Sequence, residues 1–455
     1  MTVSARKRIW GWYFFDWASQ PYNTLLLTFI FGPYFAEVAR AHFTAGGADA
    51  EAAKALSQAY WTSGLTLTGL AIAILSPVLG AISDGSGRRI TWIWAFSLMY
   101  VVGSLALWWT LPDMPNLFWP VFWFSLGFVG MELATSFTNA LMPGLTGHDD
   151  MGRISGSGFA FGYAGGVIAL FVMLLLLAEN GQTGKTLIGL SPVFGLDPAL
   201  REGTRAVGPF TALWYVVFMV PFFLWVKEPT SAAPRRSVGQ SLGDLWTSIR
   251  GLVHKRSLGA YLVSSMFYRD ALNAVYGLGG AYASNVMGWE VVQSGVFGIL
   301  AAITAALFSW LGGRMDTRFG PKPVIVWSIL ALILVLIVMV GLTPNSIFGI
   351  AVAEGSPLPN VVFYVCGAVI GAAGGTVQAA SRTLMVAHVT PETAASGFGL
   401  YGLSGKATAF LAPALITAAT LASGNARIGL TPLIGLFLIG LVLLVWVNPK
   451  GEQQP

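Results

Sequence analysis

The sequence has little charge for its length. Only 10% of its 455 residues are charged and 55% are hydrophobic, with a mean hydropathy of +0.69. Ordinary globular domains carry about 25% charged residues. A water-facing surface cannot be built from so few charges, whereas a lipid-facing surface can, so the composition excludes an ordinary soluble protein.

Cysteine and clustered histidine are also scarce. The single Cys366 lies in an apolar run, which excludes a disulfide framework within the chain, and the four histidines lack the spacing of metal ligands. No GxxxxGK[ST] loop is present, so ATP is not expected to drive the protein directly. We expect no metal and no cofactor. A membrane enzyme or a receptor is an unfavourable interpretation, because no nucleophile–base constellation and no long polar sensor region is visible.

Long apolar runs are abundant instead. Runs near 20 residues are long enough to cross a bilayer as helices, and twelve of them occur. They fall at about 10–38, 58–82, 91–111, 117–142, 153–178, 207–227, 257–286, 291–312, 323–343, 360–388, 395–421 and 428–447. We therefore predict an all-α polytopic membrane protein with about twelve transmembrane helices.

A polar stretch at 228–256 interrupts this pattern. It separates six predicted spans from six more, and it contains an amphipathic segment at Leu242–Val253 that is suited to lie along a membrane surface. We predict an N-terminal six-helix bundle at 1–227, a cytoplasmic linker at 228–256 and a C-terminal six-helix bundle at 257–455, as two pseudo-symmetric halves.

The Lys and Arg residues predict the orientation. The net charge is +5 and the pI about 9.3, but the cations sit in short loops rather than in one patch, which argues against nucleic-acid binding. With a cytoplasmic N-terminus, sixteen Lys and Arg fall on the inside and six on the outside. The positive-inside rule then predicts an integral protein of a bacterial inner membrane with both termini in the cytoplasm.

The two halves show internal similarity. The first predicted span reads FFDWASQPYN and the seventh reads YRDALNAVYG, so that Asp16 corresponds to Asp270 and Tyr22 to Tyr276. The loop after the second span reads GAISDGSGRR, and the loop after the eighth reads GGRMDTRFGPK. Weak repeats of this kind are typical of transporters.

These two loops resemble the signature loop of the major facilitator superfamily. The resemblance implies a conformational latch, in which an acidic residue at one helix end pairs with Arg or Lys and with the exposed backbone N–H groups of a neighbouring helix. The predicted gate residues are Gly80, Asp84, Arg88 and Arg89 in the first copy, and Gly312, Asp316, Arg318 and Lys322 in the second.

Three further segments narrow the resemblance. They are GWYFFDWASQPYNTLLLTFIFGPYF, the pair TNALMPGL and GRISGSGFAFGYAGG, and the run from GGTVQAASRTLMVAHV to GLSGKATAFLAP. Together they are similar to the branch typified by the fungal vacuolar amino-acid effluxer of autophagy, which has bacterial relatives. The resemblance implies transport of amino acids or similar metabolites.

Charges inside the predicted spans are candidate functional groups. Each costs about 2.5–3.5 kcal/mol at a bilayer centre on insertion scales, so retention of one suggests a role. The charged candidates are Asp16, Glu132, Arg269, Asp270, Arg382 and Lys406. In the superfamily fold the first, fourth, seventh and tenth helices surround the central cavity, and five of the six charges fall on those helices.

The acidic candidates have alternative roles. Asp16 either handles substrate or protons or acts as a capping or gate residue, and Glu132 is the first choice as proton carrier because a desolvated carboxyl can titrate near neutrality. Arg269 and Asp270 lie about 100° apart on a helix and so cannot pair along one stripe.

The basic candidates also have two interpretations. Arg382 either holds a substrate carboxylate or closes the cytoplasmic gate with an acidic partner. Lys406 either contributes to function or neutralises a buried acid. Further polar or aromatic candidates for the lining are Trp17, Asn23, Asn139, Tyr268, Asn273, Tyr276 and Gln378. Singly, each is more often a contact between helices.

The leading functional hypothesis is a secondary transporter of a small solute that alternates between two open states, is coupled to protons, and takes an amino acid or related metabolite as substrate. Two alternatives are a cation-coupled sugar symporter and a multidrug or metabolite exporter. The expected partners are the solute, protons and membrane lipid, and the expected state is a monomer.

Overall fold

The computed structural model describes most of the chain. The described residues are 3–145, 150–227, 236–251, 255–287, 289, 291–425 and 427–451. Helices account for nearly all of the regular structure in these ranges. Sixteen α-helices follow one another along the described chain and correspond closely to the apolar runs of the sequence.

The first eight helices cover the six predicted N-terminal spans. They are α1 (Ala5–Pro21), α2 (Phe31–Ala45), α3 (Ala50–Ser86), α4 (Arg89–Ala106), α5 (Phe118–Asn139), α6 (Met151–Val172), α7 (Glu202–Arg205) and α8 (Val207–Trp225). The polar linker forms α9 (Val238–Gly251). The predicted amphipathic segment therefore falls on this helix, except for Leu252 and Val253, which lie outside the described residues.

The remaining helices cover the six C-terminal spans. They are α10 (Arg256–Met287), α11 (Val291–Phe319), α12 (Pro321–Gly341), α13 (Leu358–Ala387), α14 (Ala394–Ala407), α15 (Leu411–Ser423) and α16 (Thr431–Leu443). Between α12 and α13 lies a small antiparallel sheet of β1 (Leu342–Thr343), β2 (Ser346–Ile347) and β3 (Ile350–Ala351), in which Thr343 faces Ser346 and Ile347 faces Ile350.

Ten helices in the described part of the chain are long and apolar enough to cross a membrane. The first and seventh predicted spans also fold as helices, but neither meets that criterion. Helix α1 continues directly into a π-helix, and α10, with 32 residues, contains Arg269 and Asp270. The two spans that repeat the Asp motif are thus the least lipid-like.

The first span changes from an α-helix to a π-helix after Pro21. Because proline has no N–H to donate, the α-helical ladder cannot continue regularly there. The chain runs on as a π-helix over Tyr22–Phe29, in which the N–H of Ile30 donates to the carbonyl of Leu25 at 2.9 Å. A second π-helical segment, Met173–Leu177, extends α6. Such π-helical segments often accompany functional sites.

The eleventh predicted span is two helices rather than one. The predicted span at 395–421 lies within the candidate span Ala394–Ser423, but this span contains a break, because α14 ends at Ala407 and α15 begins at Leu411. Pro413 stands in the first turn of α15, where it needs no hydrogen-bond acceptor but could not have continued an earlier helix. The break leaves the N-terminus of α15 within the predicted membrane region.

The chain divides into two compact units that do not coincide with the sequence halves. Unit 1 contains Met1–Leu75, Gly87–Thr138 and Phe161–Thr230, and unit 2 contains Ser76–Ser86, Asn139–Ala160 and Ser231–Pro455. One end of α3 and the region joining α5 to α6 therefore pack with the C-terminal helices. The boundaries predicted at 227 and 257 remain predictions about sequence halves.

The core of unit 1 is rich in buried aromatic side chains that also satisfy backbone groups. The Nε1–H of Trp12 donates to the carbonyl of Thr138 at 2.9 Å, and the hydroxyl of Tyr22 donates to the carbonyl of Phe124 at 2.6 Å. Tyr100 and Tyr215 stack with ring centroids 3.9 Å apart. These contacts hold α1 and the π-helix against α4, α5 and α8.

A charged cluster fixes the segment that joins α6 to α7 in unit 1. The guanidinium of Arg201 lies 2.9 Å from a carboxylate oxygen of Glu37 and 3.5 Å from one of Glu179. Glu179 also accepts hydrogen bonds from the N–H and the hydroxyl of Thr204 at 3.0 and 2.9 Å. Burial raises the pKa of the Glu179 carboxyl, and those bonds oppose the shift.

Candidate functional site

Asp84, the acidic residue of the predicted latch, lies in the last turn of α3. The two carboxylate oxygens of Asp84 accept hydrogen bonds from the backbone N–H groups of Ala395 at 3.1 Å and of Ser396 at 2.7 Å. These N–H groups belong to the first turn of α14, where intrahelical acceptors are missing and the helix dipole favours a negative charge. Asp84 therefore caps a helix more than 300 residues away in sequence.

The glycine that precedes this aspartate allows the close approach. A Cβ atom on Gly80 would meet the backbone carbonyl of Ala395, and its carbon would lie 2.8 Å away. Backbone atoms cannot rotate aside as a side chain can, so only glycine fits at this crossing. We use the name latch loop for residues 80–89, and the name latch for the contact of Asp84 with Ala395 and Ser396.

The second loop reproduces the position but not the hydrogen bonds. Asp316, at the end of α11, packs against Gly152 in the first turn of α6, so that a Cβ on Gly152 would lie 2.6 Å from the carboxyl carbon of Asp316. Asp316 is only 4% exposed, and within the described residues its buried Oδ2 has no hydrogen-bond partner. The two aspartates thus face equivalent turns of α14 and α6 with different bonding.

The basic residues of the two loops take separate places. Arg88 is exposed at the start of α4, whereas Arg89 is buried. Arg318 lies over the ring of Phe319, with 5.2 Å between its guanidinium carbon and the ring centroid. Lys322 donates to the carbonyls of Val445 at 3.3 Å and Val447 at 2.8 Å, beyond the end of α16.

Arg382 is a second connection at the same end of unit 2. Its Nε donates to the hydroxyl of Ser155 at 3.0 Å, one terminal nitrogen donates to the Ser155 carbonyl at 2.8 Å, and the other to Oδ1 of Asn139 at 3.2 Å. The guanidinium also lies 4.2 Å from the ring centroid of Phe159. Arg382 therefore ties α13 to the end of α5 and to α6 through uncharged groups.

Two tyrosines of α10 surround the residue before Arg382. The hydroxyl of Tyr261 donates to the carbonyl of Ser381 at 2.6 Å, and the hydroxyls of Tyr268 and Ser381 are 2.8 Å apart. Both rings are fully buried. Tyr268, a predicted lining residue, is placed here in the packing between α10 and α13.

A different group of predicted residues meets at the break between α14 and α15. Arg269 donates to the carbonyl of Tyr401 at 2.7 Å, and its guanidinium carbon lies 4.0 Å from the centroid of the Tyr401 ring. Its guanidinium also approaches Gly405, the residue before Lys406. Asp270 is 3% exposed, and its Oδ2 accepts a hydrogen bond from the N–H of Ala412 at 3.0 Å. Asp270 therefore caps α15.

The candidates on α1 pack against the small residues of α6. A Cβ on Gly162 would lie 3.2 Å from the Cβ of Asp16. Trp17 belongs to an aromatic cluster, with its ring 4.5 Å from that of Phe161 and stacked on Trp214 at 5.8 Å, and the Trp214 indole donates to the Trp17 carbonyl at 3.2 Å. These contacts accommodate the carboxyl of Asp16 and the ring of Trp17 where α1 packs against α6 and α8.

The remaining candidates occupy separate positions. Glu132 is half-buried on α5, Asn273 is exposed on α10, and the hydroxyl of Tyr276 lies against Gly374. Gln378 donates to the carbonyl of Gly374, one turn earlier on its own helix, at 3.3 Å. Asn23 accepts through its carbonyl from the hydroxyl of Thr28 at 2.8 Å in the π-helix.

Sequence reasoning did not single out four partners that complete these groups. They are Ser155 and Phe159 around Arg382, and Tyr401 and Ala412 around Arg269 and Asp270. Ser155 and Phe159 lie within the motif GRISGSGFAFGYAGG. This motif indicated the family resemblance, but no role was predicted for these two residues. The proline at 413 was a signal for the helix break.

The sequence is similar to those of known membrane proteins. A family model described as vacuole effluxer Atg22 like matches residues 4–454. The chain belongs to this family. It is 24% identical over 459 residues to the MFS-type transporter YxiO of Bacillus subtilis (strain 168), which covers 98% of this chain and 95% of that protein.

Fungal members of the Atg22-like family align over a smaller share. Autophagy-related protein 22 of Coccidioides immitis (strain RS) is 25% identical over 319 residues, which are 66% of this chain and 49% of the fungal protein. The chain therefore matches about half the length of that relative.

Solved structures show the same fold. The human organic anion transporter MFSD10 has a TM-score of 0.68 at 17% identity and covers 97% of this chain and 99% of its own. The outward conformation of FucP, a major facilitator superfamily transporter, has a TM-score of 0.67 at 14% identity, with 97% and 98% covered. This Atg22-like protein is an integral, multi-pass secondary transporter with the major facilitator fold.

Proposed function

We propose that this Atg22-like protein carries amino acids or related small metabolites in exchange or symport with protons. We further propose that it works as a monomer in a bacterial inner membrane, with both termini in the cytoplasm. The observation that carries the substrate class is the environment of Arg269 at the break between α14 and α15.

Arg269 has the features of a carboxylate-binding residue. Arg269 is half-buried, and its guanidinium carbon lies over the Tyr401 ring, 4.0 Å from the ring centroid, so the group is positioned before a ligand arrives. One N–H is used by the Tyr401 carbonyl, and no carboxylate of the described residues lies within 4 Å to form an ion pair. A planar guanidinium with free donors is suited to bidentate binding of a carboxylate.

The helix break adds a second feature that favours an anion. The N-terminus of a half-helix within a membrane attracts negative charge, and transporters use such ends for carboxylates. In this protein the end of α15 is occupied by Asp270. We propose that Asp270 releases Ala412 when it takes up a proton, so that protonation and substrate binding are coupled at one place. Asp16 and Glu132 remain further candidates for the proton.

Arg382 is better suited to the gate than to the substrate. It is 3% exposed, and three of its nitrogens already donate to Ser155 and Asn139. A substrate carboxylate would have to displace these bonds. We therefore propose that Arg382 closes the latch end and that Arg269 binds the substrate; of the two roles predicted for Arg382, this proposal favours the gate.

Counterflow in proteoliposomes tests the proposal. Vesicles loaded with unlabelled amino acids should accumulate labelled amino acids in a saturable way, and counterflow needs no driving force, so the unidentified coupling ion cannot hide activity. Arg269→Gln should abolish the exchange, because the charge and the fork of donors are lost. The matched control is Arg40→Gln, since Arg40 is exposed on α2 and contacts only its own helix at Ala36.

Each outcome separates the alternatives. Loss of amino-acid exchange in Arg269→Gln but not in Arg40→Gln supports the substrate assignment. Exchange of sugars only would replace it with a sugar symporter, and silence with both solutes from folded protein would overturn it. An Asp270→Asn variant should exchange amino acids with a rate that no longer depends on pH. An unchanged pH profile in that variant would remove Asp270 from proton coupling.

A further inference from the structure

Helix α9 is fixed to the latch loop by one face. Ser241 is 3% exposed and sits directly over Gly85, so closely that a Cβ on Gly85 would collide with its hydroxyl. The N–H of Arg236 donates to the carbonyl of Gly85 at 2.9 Å, and Leu245, one turn after Ser241, is also buried. Because Gly85 follows Asp84, α9 holds the residue next to the latch aspartate.

Helix α9 has its own N-terminal cap and an ion pair. Ser237 and Gln240 form a reciprocal cap, in which the Ser237 N–H donates to the Gln240 side chain at 2.9 Å and the Gln240 N–H donates to the Ser237 hydroxyl at 3.3 Å. Arg236 and Asp244 form an ion pair at 2.6 Å. The linker thus presents a fixed surface.

A second face of α9 exposes an apolar stripe. Val238, Leu242 and Trp246 are 56%, 38% and 56% exposed, and their spacing of four residues places them within about 80° of the helix circumference. Arg250 lies beside the stripe, with its guanidinium 4.9 Å from the Trp246 ring centroid. An apolar stripe with a tryptophan and an arginine at its border is the pattern of a helix that lies in a membrane interface.

The length of the connections brings this stripe to the membrane. Helix α8, part of a membrane-spanning segment, ends at Trp225. Only four residues lie between Gly251 and Arg256, where α10 begins, and a chain of five residue steps reaches at most about 18 Å. Between 227 and 256 the sequence has six Lys and Arg against two acidic residues. That excess attracts anionic headgroups.

We propose that α9 binds the surface of an anionic lipid leaflet through Val238, Leu242, Trp246 and Arg250, and that this binding holds the latch closed. The lipid surface fixes α9, α9 fixes Gly85, and Asp84 next to it caps α14. Anionic lipid therefore stabilises the contact of the latch loop with Ala395 and Ser396. The inference does not depend on the identity of the substrate.

Site-specific quenching tests the binding surface in the full-length protein. A single-cysteine series starts from Cys366→Ala, the replacement of the one native cysteine. An environment-sensitive fluorophore at Leu242→Cys should shift to the blue and be quenched several-fold more by nitroxide-labelled lipid than one at Thr247→Cys, on the exposed polar face. Equal quenching at both positions would overturn the membrane contact.

The coupling is tested by cysteine accessibility at the latch end. A cysteine at Ala379, which is buried and whose carbonyl accepts from the Ser155 hydroxyl at 2.7 Å, reports opening by its rate of maleimide labelling. In nanodiscs, labelling should be several-fold slower with phosphatidylcholine–phosphatidylglycerol mixtures than with phosphatidylcholine alone. Raised salt should reduce the difference.

A variant separates α9 from other lipid sites. Trp246→Gln combined with Arg250→Gln should label at the phosphatidylcholine rate in both lipids, whereas Thr247→Ala should keep the wild-type difference. The Thr247→Ala protein also controls for folding, together with the thermal unfolding of both variants. If the double variant responds to phosphatidylglycerol as the wild type does, the lipid acts elsewhere and the proposal fails. Neither readout uses transport, so failure here is distinct from failure of the substrate assignment.

Discussion

The two copies of the signature loop place an aspartate against the first turn of a helix, yet only one copy makes the bonds that this position offers. Asp84 accepts two N–H groups from α14, and Asp316 faces Gly152 of α6 with one oxygen buried and unbonded within the described residues. The sequence repeat therefore places an aspartate at equivalent positions in both loops. The local geometry determines whether the charge of that aspartate is stabilised there.

The physical consequences of the two positions are opposite. A carboxylate that accepts backbone N–H groups at a helix N-terminus is stabilised by about 1.5–3 kcal/mol for each bond to a charged group, less where water competes. A buried carboxyl oxygen without a donor carries a desolvation cost instead. Asp84 is therefore stabilised where it caps α14, whereas the buried Oδ2 of Asp316 is not stabilised by a hydrogen bond within the described residues.

The largest effect is expected from a substitution that prevents the close approach of Gly80 to Ala395 at the first loop. Gly80→Ala places a Cβ against the backbone of Ala395, and we expect a loss of about 3 kcal/mol of stability, because overpacking against backbone cannot be relieved by rotation. Gly152→Ala meets a side chain, Asp316, and should cost about 1 kcal/mol. Thermal unfolding measures both.

Gly69→Ala is the matched control for this pair. Gly69 lies on α3, as Gly80 does, and a Cβ there would meet open space. Its substitution should be neutral or stabilise the helix by up to about 1 kcal/mol. Equal losses at the three glycines would show that helix flexibility, and not close approach, is what matters.

The next effect concerns the charge of the latch. Asp84→Asn keeps the size but removes two charge-assisted bonds, which should shift the closed end toward opening by about 2 kcal/mol, or roughly 30-fold in the equilibrium. Faster maleimide labelling of a cysteine at Ala379 reports the shift. An unchanged labelling rate would mean that Arg382 alone holds the end closed.

A smaller effect of opposite sign is expected at the second copy. Asp316→Asn removes a buried charge that lacks a partner at Oδ2, so the free energy of unfolding should stay within about 1 kcal/mol of the wild type or rise above it. Chemical or thermal unfolding in detergent gives the comparison. A loss as large as that of Asp84→Asn would show that the two loops are equivalent after all.

The smallest effect sharpens the comparison of the basic residues. Lys322→Met removes the donor that satisfies the carbonyls of Val445 and Val447 near the end of α16. Because this site is near the surface, we expect a loss of about 0.5 kcal/mol in unfolding experiments and an unchanged rate at the Ala379 cysteine reporter. A change in that rate would place Lys322 in the latch.

Much of this architecture was predictable because it depends on one-dimensional patterns. Apolar length predicted the spans, including the correct places of α3, α12 and α16, and the repeated loops predicted that an acidic residue would cap a distant helix. Membership of the major facilitator superfamily and the resemblance to the vacuolar effluxer are confirmed by the family model and by the solved structures.

Other features were not predictable, because they depend on how helices rotate and break. Hydropathy is insensitive to the interruption at Ala407, since residues on both sides are apolar, and only Pro413 hinted at it. Ser155 and Asn139, which accept hydrogen bonds from Arg382, are uncharged, so no charge pattern in the sequence pointed to them. A contact of this kind leaves no trace in composition or periodicity.

The most direct test of the central claim is the distance between spin labels at Ser86→Cys and Glu392→Cys in the Cys366→Ala background, measured by double electron–electron resonance in nanodiscs. Both labels lie within unit 2 and flank the contact of Asp84 with α14. The account predicts one short distance in the parent protein, an added longer population with Asp84→Asn, and no such population with Asp316→Asn. A distribution that is unchanged by Asp84→Asn, or equally broadened by both substitutions, would contradict it.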